Sequence, residues 1–231
     1  MTIAENLSLV QKNIGLARER SPYAAPLVKL LAVSKTHPPE LIMEAHRAGQ
    51  NCFGENRVQE LTAKIQALPA LEWHLIGHLQ TNKVKYILGK TALIHSLDRL
   101  ELADELEKRG AAQNLVTEAL VQLNIAEEDS KSGLCVAALA DFLDAMADYP
   151  HIHIQGLMTI GPLSGTGTEI RQVFRELRLL RDREKAVNRP FLEMEALSMG
   201  MSGDYEIAVE EGASLVRVGS IIFGNRIYEK K

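Results

Sequence analysis

Lys35 closes the run Leu30-Leu31-Ala32-Val33-Ser34, a segment that reads as a buried strand. An amine at that place either leaves water or lines a cleft. Desolvation disfavours its charged form, and a neutral amine adds to an aldehyde to give a Schiff base. The plain alternative is a strand-end lysine whose stem packs on apolar surface while its head reaches water. Two later segments also carry unusual residue types. Ser198-Met199-Gly200-Met201-Ser202-Gly203-Asp204 precedes a helical stretch, and Gly219-Ser220 precedes a short one. Small residues and hydroxyls ahead of a helix leave backbone N–H groups to hold an anion. Ordinary caps, with Ser202 capping a helix from Gly203, explain the same residues, and Asp204 would repel an anion placed on it. Arg217 sits just before the second segment. Side chains alternate along a strand, so Arg217 shares a face with Leu215, while Val216 and Val218 face the other way. A buried arginine stays charged and needs acceptors; an internal carboxylate, Glu55 or Glu195, would serve.

The elements that position these residues alternate regularly. A helix over 3–20 carries an apolar stripe. Strands are expected over 30–34, 51–54, 71–76, 91–95, 118–125, 152–158, 193–197 and 215–218. Helices separate them, over about 39–48, to 68, 81–88, from the D-x-x-E signature of Asp98 and Glu101 to Gly110, 136–148, through the stripe Ile170, Val173, Phe174, Leu177 and Leu180, and over 203–211. A loop rich in glycine spans 161–167. Eight such units over 231 residues make a single TIM (β/α)8 barrel with an extra N-terminal helix, placed across the bottom of the barrel. An open doubly wound sheet is the rival, but its glycine-rich first turn is replaced by Ser34-Lys35-Thr36-His37-Pro38-Pro39. In a barrel, the site lies at the carboxyl ends of the strands, and the loops after strands seven and eight commonly hold phosphate.

Composition excludes several classes. The 26 basic and 30 acidic residues are interspersed, with net charge −4, so no basic stripe marks a nucleic-acid footprint. No apolar run approaches the ~18 residues that span a bilayer, and Met1-Thr2-Ile3-Ala4-Glu5 lacks the pattern of a signal peptide. Cys52 and Cys135 are read as reduced packing residues of a cytoplasmic protein. His74 and His78 are four apart, but the glycine between them argues against a helical metal pair, and no metal site is expected.

An amine on strand one, a phosphate cradle after strands seven and eight, and an arginine just before that cradle lie side by side in a closed barrel. A molecule with an aldehyde, a phosphate and a ring nitrogen would engage all three, and pyridoxal 5'-phosphate (PLP) is such a molecule.

The chain resembles the PLP homeostasis protein family, the YggS/PROSC group, across nearly its whole length. The resemblance rests on 31–35, Phe53-Gly54-Glu55-Asn56, the run from His74 to Lys83, Asn124-Ile125 with Lys131-Ser132-Gly133, Gly156-Leu157-Met158, 197–202 and 217–224. It implies one PLP-binding barrel over 1–231, like the N-terminal domain of alanine racemase, the PLP fold type III. It assigns Lys35 as the Schiff-base lysine and Arg217 as the partner of the pyridine nitrogen. Ser198, Met199, Ser202, Gly219 and Ser220 fall in the phosphate-binding segments, and Asn56 lies near the cofactor. It implies a role in intracellular PLP balance, as carrier or buffer, with effects on amino and keto acid balance.

A permanently charged arginine beside the pyridine nitrogen disfavours its protonation and weakens the electron sink, although alanine racemase works with that arrangement. The expectation is therefore a monomeric, non-enzymatic PLP protein whose partners include PLP-requiring apoenzymes, with no catalytic residues. Two alternatives remain. One is a racemase-like PLP enzyme using Tyr205, His74, His78 or Cys52 as a second acid/base. The other is a Schiff-base aldolase in which the phosphate belongs to the substrate.

Overall fold

The computed structural model describes residues 1–126, 128, 132–162, 164–189 and 191–224. Among them, eight parallel strands pair in sequence order and close into a barrel. They are β1 (Lys29–Val33), β2 (Cys52–Glu55), β3 (Glu72–Leu75), β4 (Leu93–Leu97), β5 (Thr117–Leu123), β6 (Ile152–Thr159), β7 (Leu192–Ser198) and β8 (Leu215–Val218). The ring closes between β1 and β8, with Leu31 opposite Arg217. The expected TIM barrel is thus the observed fold. Lys131, one of the residues carrying the resemblance, and Leu163 of the glycine-rich loop lie outside the described residues.

Around the barrel run α1 (Ile3–Glu19), α2 (Pro39–Arg47), α3 (Val58–Ala67), α4 (Val84–Ile87), α5 (Leu100–Gln113), α6 (Leu139–Ala145), α7 (Gly167–Ala186), α8 (Tyr205–Glu210) and α9 (Ser220–Phe223). Two helices expected to be continuous are broken. A 3-10 turn over Thr81–Lys83 precedes α4, and 3-10 turns flank α6. The period-two pattern divides the apolar side chains by face. Leu31, Val33, Cys52, Leu93, Leu120, Met158 and Leu215 form an interior cluster. Leu30, Ala32, Phe53, Trp73, Val216 and Val218 belong to the larger core shared with the helices.

The N-terminal helix does not cover the bottom. A capping box between Thr2 and Glu5 starts α1, and Ile3, Leu7, Val10, Ile14 and Ala17 form its buried stripe. That stripe packs beside α8, α9 and α2. The helix following β8 has only four residues, so the β8–β1 seam would otherwise stay uncovered. α1 supplies the missing member of the outer ring.

Three further expectations are corrected. Asp98 does not cap α5; it pairs with Arg99 at 2.6 Å, and the cap position is Arg99 with no side-chain bond. Gly110 lies inside α5, which ends at Asn114 in the left-handed conformation (φ 53°). Glycine is required at 110 by packing, since a Cβ there would stand 2.7 Å from the His151 Cβ. Cys135 is exposed rather than packed, whereas Cys52 is buried.

If α1 holds the seam, Leu7→Ala should cost about 2–4 kcal/mol in urea denaturation. The same change at exposed Leu9 should cost less than about 0.5 kcal/mol. Equal effects would mean that the α1 stripe carries no core.

Candidate functional site

A cavity of about 330 Å3 opens at the carboxyl end of the barrel, within the range of about 300–1,000 Å3 common for small-molecule sites. Lys35, Asn56, Ser202, Arg217, Gly219 and Ser220 all line it. Six of the eight expected site residues therefore meet, although they come from the carboxyl ends of four different strands.

Lys35 stands in the turn just past β1, half-buried. That turn rests on a buried ionic platform. Lys64 of α3 donates to the Ser34 carbonyl at 2.8 Å, to Glu55 at 2.7 Å and to Glu60 at 2.7 Å. Ser34 Oγ donates to Glu55 at 2.6 Å, and the Thr36 N–H donates to Glu60 at 2.6 Å. Thr36 is left-handed (φ 69°), a conformation unfavourable for a β-branched residue, and the Glu60 bond holds it there. Burial raises the pKa of Glu55, against the opposing pull of Lys64.

Arg217 is 4% exposed and faces the barrel interior. It pairs with neither Glu55 nor Glu195. Its Nη1 donates to Ser198 Oγ at 2.7 Å and its Nη2 to the Thr159 carbonyl at 2.9 Å. Burial pulls its pKa down to about 10, with Asp204 opposing, so the group stays charged near neutral pH. Ser198 Oγ in turn meets His95 Nδ1 at 2.9 Å, and His95 Nε2 meets His74 Nδ1 at 2.9 Å. His74 Nε2 meets Glu72 Oε1 at 2.8 Å.

One proton arrangement satisfies this column. Glu72, held down at about 2 by the His74 hydrogen bond and then Lys29, accepts from His74 Nε2–H. His95 Nε2–H then donates to His74 Nδ1, and Ser198 O–H donates to His95 Nδ1. Burial lowers the pKa of both imidazoles, most strongly that of His95, so both are neutral.

The loops after β7 and β8 meet at the cavity. Ser202 Oγ accepts from the Gly219 N–H at 3.2 Å. The backbone N–H groups of Ser202, Gly203 and Ser220 have no backbone acceptor among the described residues. A Cβ on Gly203 would stand in open space. Ser202 does not cap α8; the cap position is Asp204, whose carboxylate takes the Met201 N–H. These donors, with the Lys35 amine and the Arg217 guanidinium, suit a ligand carrying an anionic group and a carbonyl.

Ser198 and Met199 do not line the cavity. Ser198 is fully buried beneath Arg217 as its acceptor. Met199 lies in the outer core, and its N–H is bound to the Leu215 carbonyl. His37, Ile76, Ile160, Met201 and Gly203 also line the cavity; none was named as a site residue from sequence, although Met201 and Gly203 stand in the segment after strand seven. His37 stacks on Phe223 with ring centroids 5.0 Å apart, tying the β1–α2 loop to α9. Its place two residues beyond Lys35 was the available signal.

None of the four sequence candidates for a second acid/base lines the cavity. Tyr205 is buried against α1, its hydroxyl accepting from Asn13 at 3.0 Å. Cys52 and His74 lie in the amino-terminal half of the interior, and His78 is exposed beside Asp98.

Residues 6–226 match the family described as alanine racemase, N-terminal domain. The pyridoxal phosphate homeostasis protein of Aquifex aeolicus is 46% identical, covering 99% of this chain and 100% of its own length. That of Escherichia coli strain K12 is 38% identical, covering 99% of each. The structure of PipY of Synechococcus elongatus with PLP bound is 38% identical with a TM-score of 0.82, covering 96% of this chain and 100% of PipY. Alanine racemase from Corynebacterium glutamicum shares the fold at 15% identity, with a TM-score of 0.69 over 96% of this chain and 60% of its own.

Lys64→Met should leave Glu55 without its counter-charge and cost about 3–5 kcal/mol at neutral pH. The loss has a sign in pH. A carboxyl whose folded pKa is raised binds more protons folded than unfolded, so its ionisation lowers stability as pH rises above the unfolded value. Denaturation from pH 4 to 8 should show the variant nearest to wild type at pH 4 and furthest behind above the raised pKa. A gap independent of pH would remove Glu55 from the explanation.

Proposed function

The chain belongs to the pyridoxal phosphate homeostasis protein family, built on the alanine racemase N-terminal domain, and on that premise we propose that it binds PLP and serves in PLP balance. The observation that carries the reading is the meeting of Lys35, Arg217 and the two loops after β7 and β8 around one cavity. When bound, PLP supplies an aldehyde carbon for an amine and an electron-withdrawing ring. Lys35 is the amine that holds it as a Schiff base. Arg217, anchored from below by Ser198 and Thr159, presents a fixed positive charge to the ring nitrogen. The free N–H groups of Ser202, Gly203 and Ser220, with the two serine hydroxyls, hold the phosphate. Asn56, which lines the cavity, stands near the bound group, and Gly219 allows the loop to lie against Val33, where a Cβ would stand 3.0 Å from the Val33 carbonyl. Ser198 and Met199 act through the scaffold and do not touch the cofactor.

The reading extends to a carrier or buffer rather than an enzyme. A charged arginine holds the ring nitrogen unprotonated by like-charge repulsion, and the residues that sequence offered as a second acid or base stand outside the cavity. Release of PLP to apoenzymes, effects on amino and keto acid balance, a monomeric state, a single domain over 1–231 and a cytoplasmic place complete the proposal. No helix among the described residues is long and apolar enough to cross a membrane.

Borohydride reduction of the PLP-loaded protein followed by peptide mapping should place the pyridoxyl group on Lys35. In Lys35→Ala it should be lost, and a trapped adduct persisting on another lysine would defeat the assignment. Arg217→Gln should weaken PLP binding about tenfold and shift the visible band; an unchanged spectrum and affinity would remove Arg217 from the ring. Exchange of the α-hydrogen of L-alanine with deuterium oxide by the loaded protein would overturn the non-enzymatic reading.

A further inference from the structure

The opposite, amino-terminal end of the barrel holds a second concentration of chemistry. There a separate cleft of about 280 Å3 is bordered by Lys29, Glu72, His74, Gln155 and Ser214. Glu72 and His74 border it, and one ligand atom each from these two and from buried Cys52 lie within 4.8 Å of one another. Cys52 and His74 project from adjacent strands into the interior, while Glu72, at the start of β3, is partly exposed to the cleft. We propose that Cys52 Sγ, His74 Nε2 and a Glu72 carboxylate oxygen form a site for one thiophilic divalent cation of the zinc class.

The geometry meets the separate requirements of such a site. Cys52 Sγ and His74 Nε2 stand 3.5 Å apart, and a tetrahedral zinc with ordinary Zn–S and Zn–N bonds sets that separation at about 3.5 Å. Glu72 Oε1 lies 2.8 Å from His74 Nε2 and must move outward by about 0.5 Å to share a zinc, which its exposed side permits. In the empty site Oε1 is held by Lys29 and His74; the His74 bond is given up when Nε2 ligates. A ligating histidine needs an acceptor for its other N–H, and His95 Nε2 waits 2.9 Å from His74 Nδ1. The cleft supplies the entry path and the space for a fourth, water ligand.

The proton balance is simple. Binding forms Zn–S, Zn–N and Zn–O bonds and breaks one S–H bond, releasing the thiol proton to solvent. Each imidazole keeps one proton, which changes nitrogen: His74 carries it on Nδ1 towards His95, and His95 carries it on Nδ1 towards Ser198 Oγ. The thiol must lose its proton to ligate, so the cation drives this release and affinity rises with pH. The site shares no residue with the carboxyl-end cavity, which lies at the other end of the column.

The test uses the full-length reduced protein, stripped by chelator and titrated with Co2+, then Zn2+. One equivalent of Co2+ should give thiolate-to-metal charge-transfer absorption in the near ultraviolet, displaced by one equivalent of Zn2+. Cys135→Ser should keep the band and Cys52→Ser should lose it. Glu72→Gln, at a partly exposed position and checked for folding by circular dichroism, should weaken Zn2+ by more than about tenfold. No stoichiometric binding, Co2+ bound without the band, a band surviving Cys52→Ser, or unchanged affinity in Glu72→Gln would each overturn the site.

Discussion

A guanidinium inside a closed barrel must find acceptors, here a serine and a carbonyl rather than a carboxylate, and much of the interior is arranged around that need. Arg217 cannot shed its charge, and its burial is tolerable only because Ser198 and the Thr159 carbonyl accept from it. Ser198 is polarised in turn by His95, His95 by His74, and His74 by Glu72 at the far end. The column places a cation at one end and a carboxylate at the other, with neutral groups donating in one direction between them. It explains why two buried histidines and a serine occupy positions that barrel interiors ordinarily fill with branched apolar residues. It also ties the orientation of the cavity cation to residues on β3, β4 and β7 that never reach the cavity.

The outer surface answers a different constraint. Each barrel seam must be covered, and the short α9 cannot cover the one between β8 and β1. The buried stripe of α1 does so, joining the start of the described chain to the end of the ring. α9 is thereby pinned too: Asn6 donates to the Ile222 carbonyl at 3.0 Å, while His37 stacks on Phe223. The cavity wall formed by Gly219 and Ser220 is thus held from both sides by residues remote in sequence.

The cavity lysine depends on a third arrangement, local to β1, β2 and α3. Lys64, Glu55 and Glu60 fix the turn around Lys35 through the Ser34 carbonyl and the Thr36 N–H. A buried ion pair is a weak source of net stability but a strong source of position once formed, because breaking one half leaves the other uncompensated. Glu55 and Asn56 are neighbours in the chain, so the same β2 end that anchors the lysine turn also carries Asn56 to the cavity.

Much of this was legible in the sequence, for local reasons. Alternating apolar runs and amphipathic stretches are set by strand and helix periodicity, so the eight units and the barrel could be read directly. The parity of Val216, Arg217 and Val218 is a property of the strand alone, and it placed Arg217 inside. Long ordered motifs carried the family. Other features needed the tertiary structure, because they depend on what stands across a gap. The capping signature of Asp98 was lost to a pair with Arg99, and Gly110 proved to be a packing glycine against His151. Nothing near Ser198 in the chain tells that its hydroxyl would serve Arg217 from beneath instead of facing a ligand. Cys52, Glu72 and His74 lie on two strands at spacings that match no metal motif, and only the register of β2 against β3 brings them together. Periodicity fixes which way a side chain points; closure of the barrel decides what it meets there.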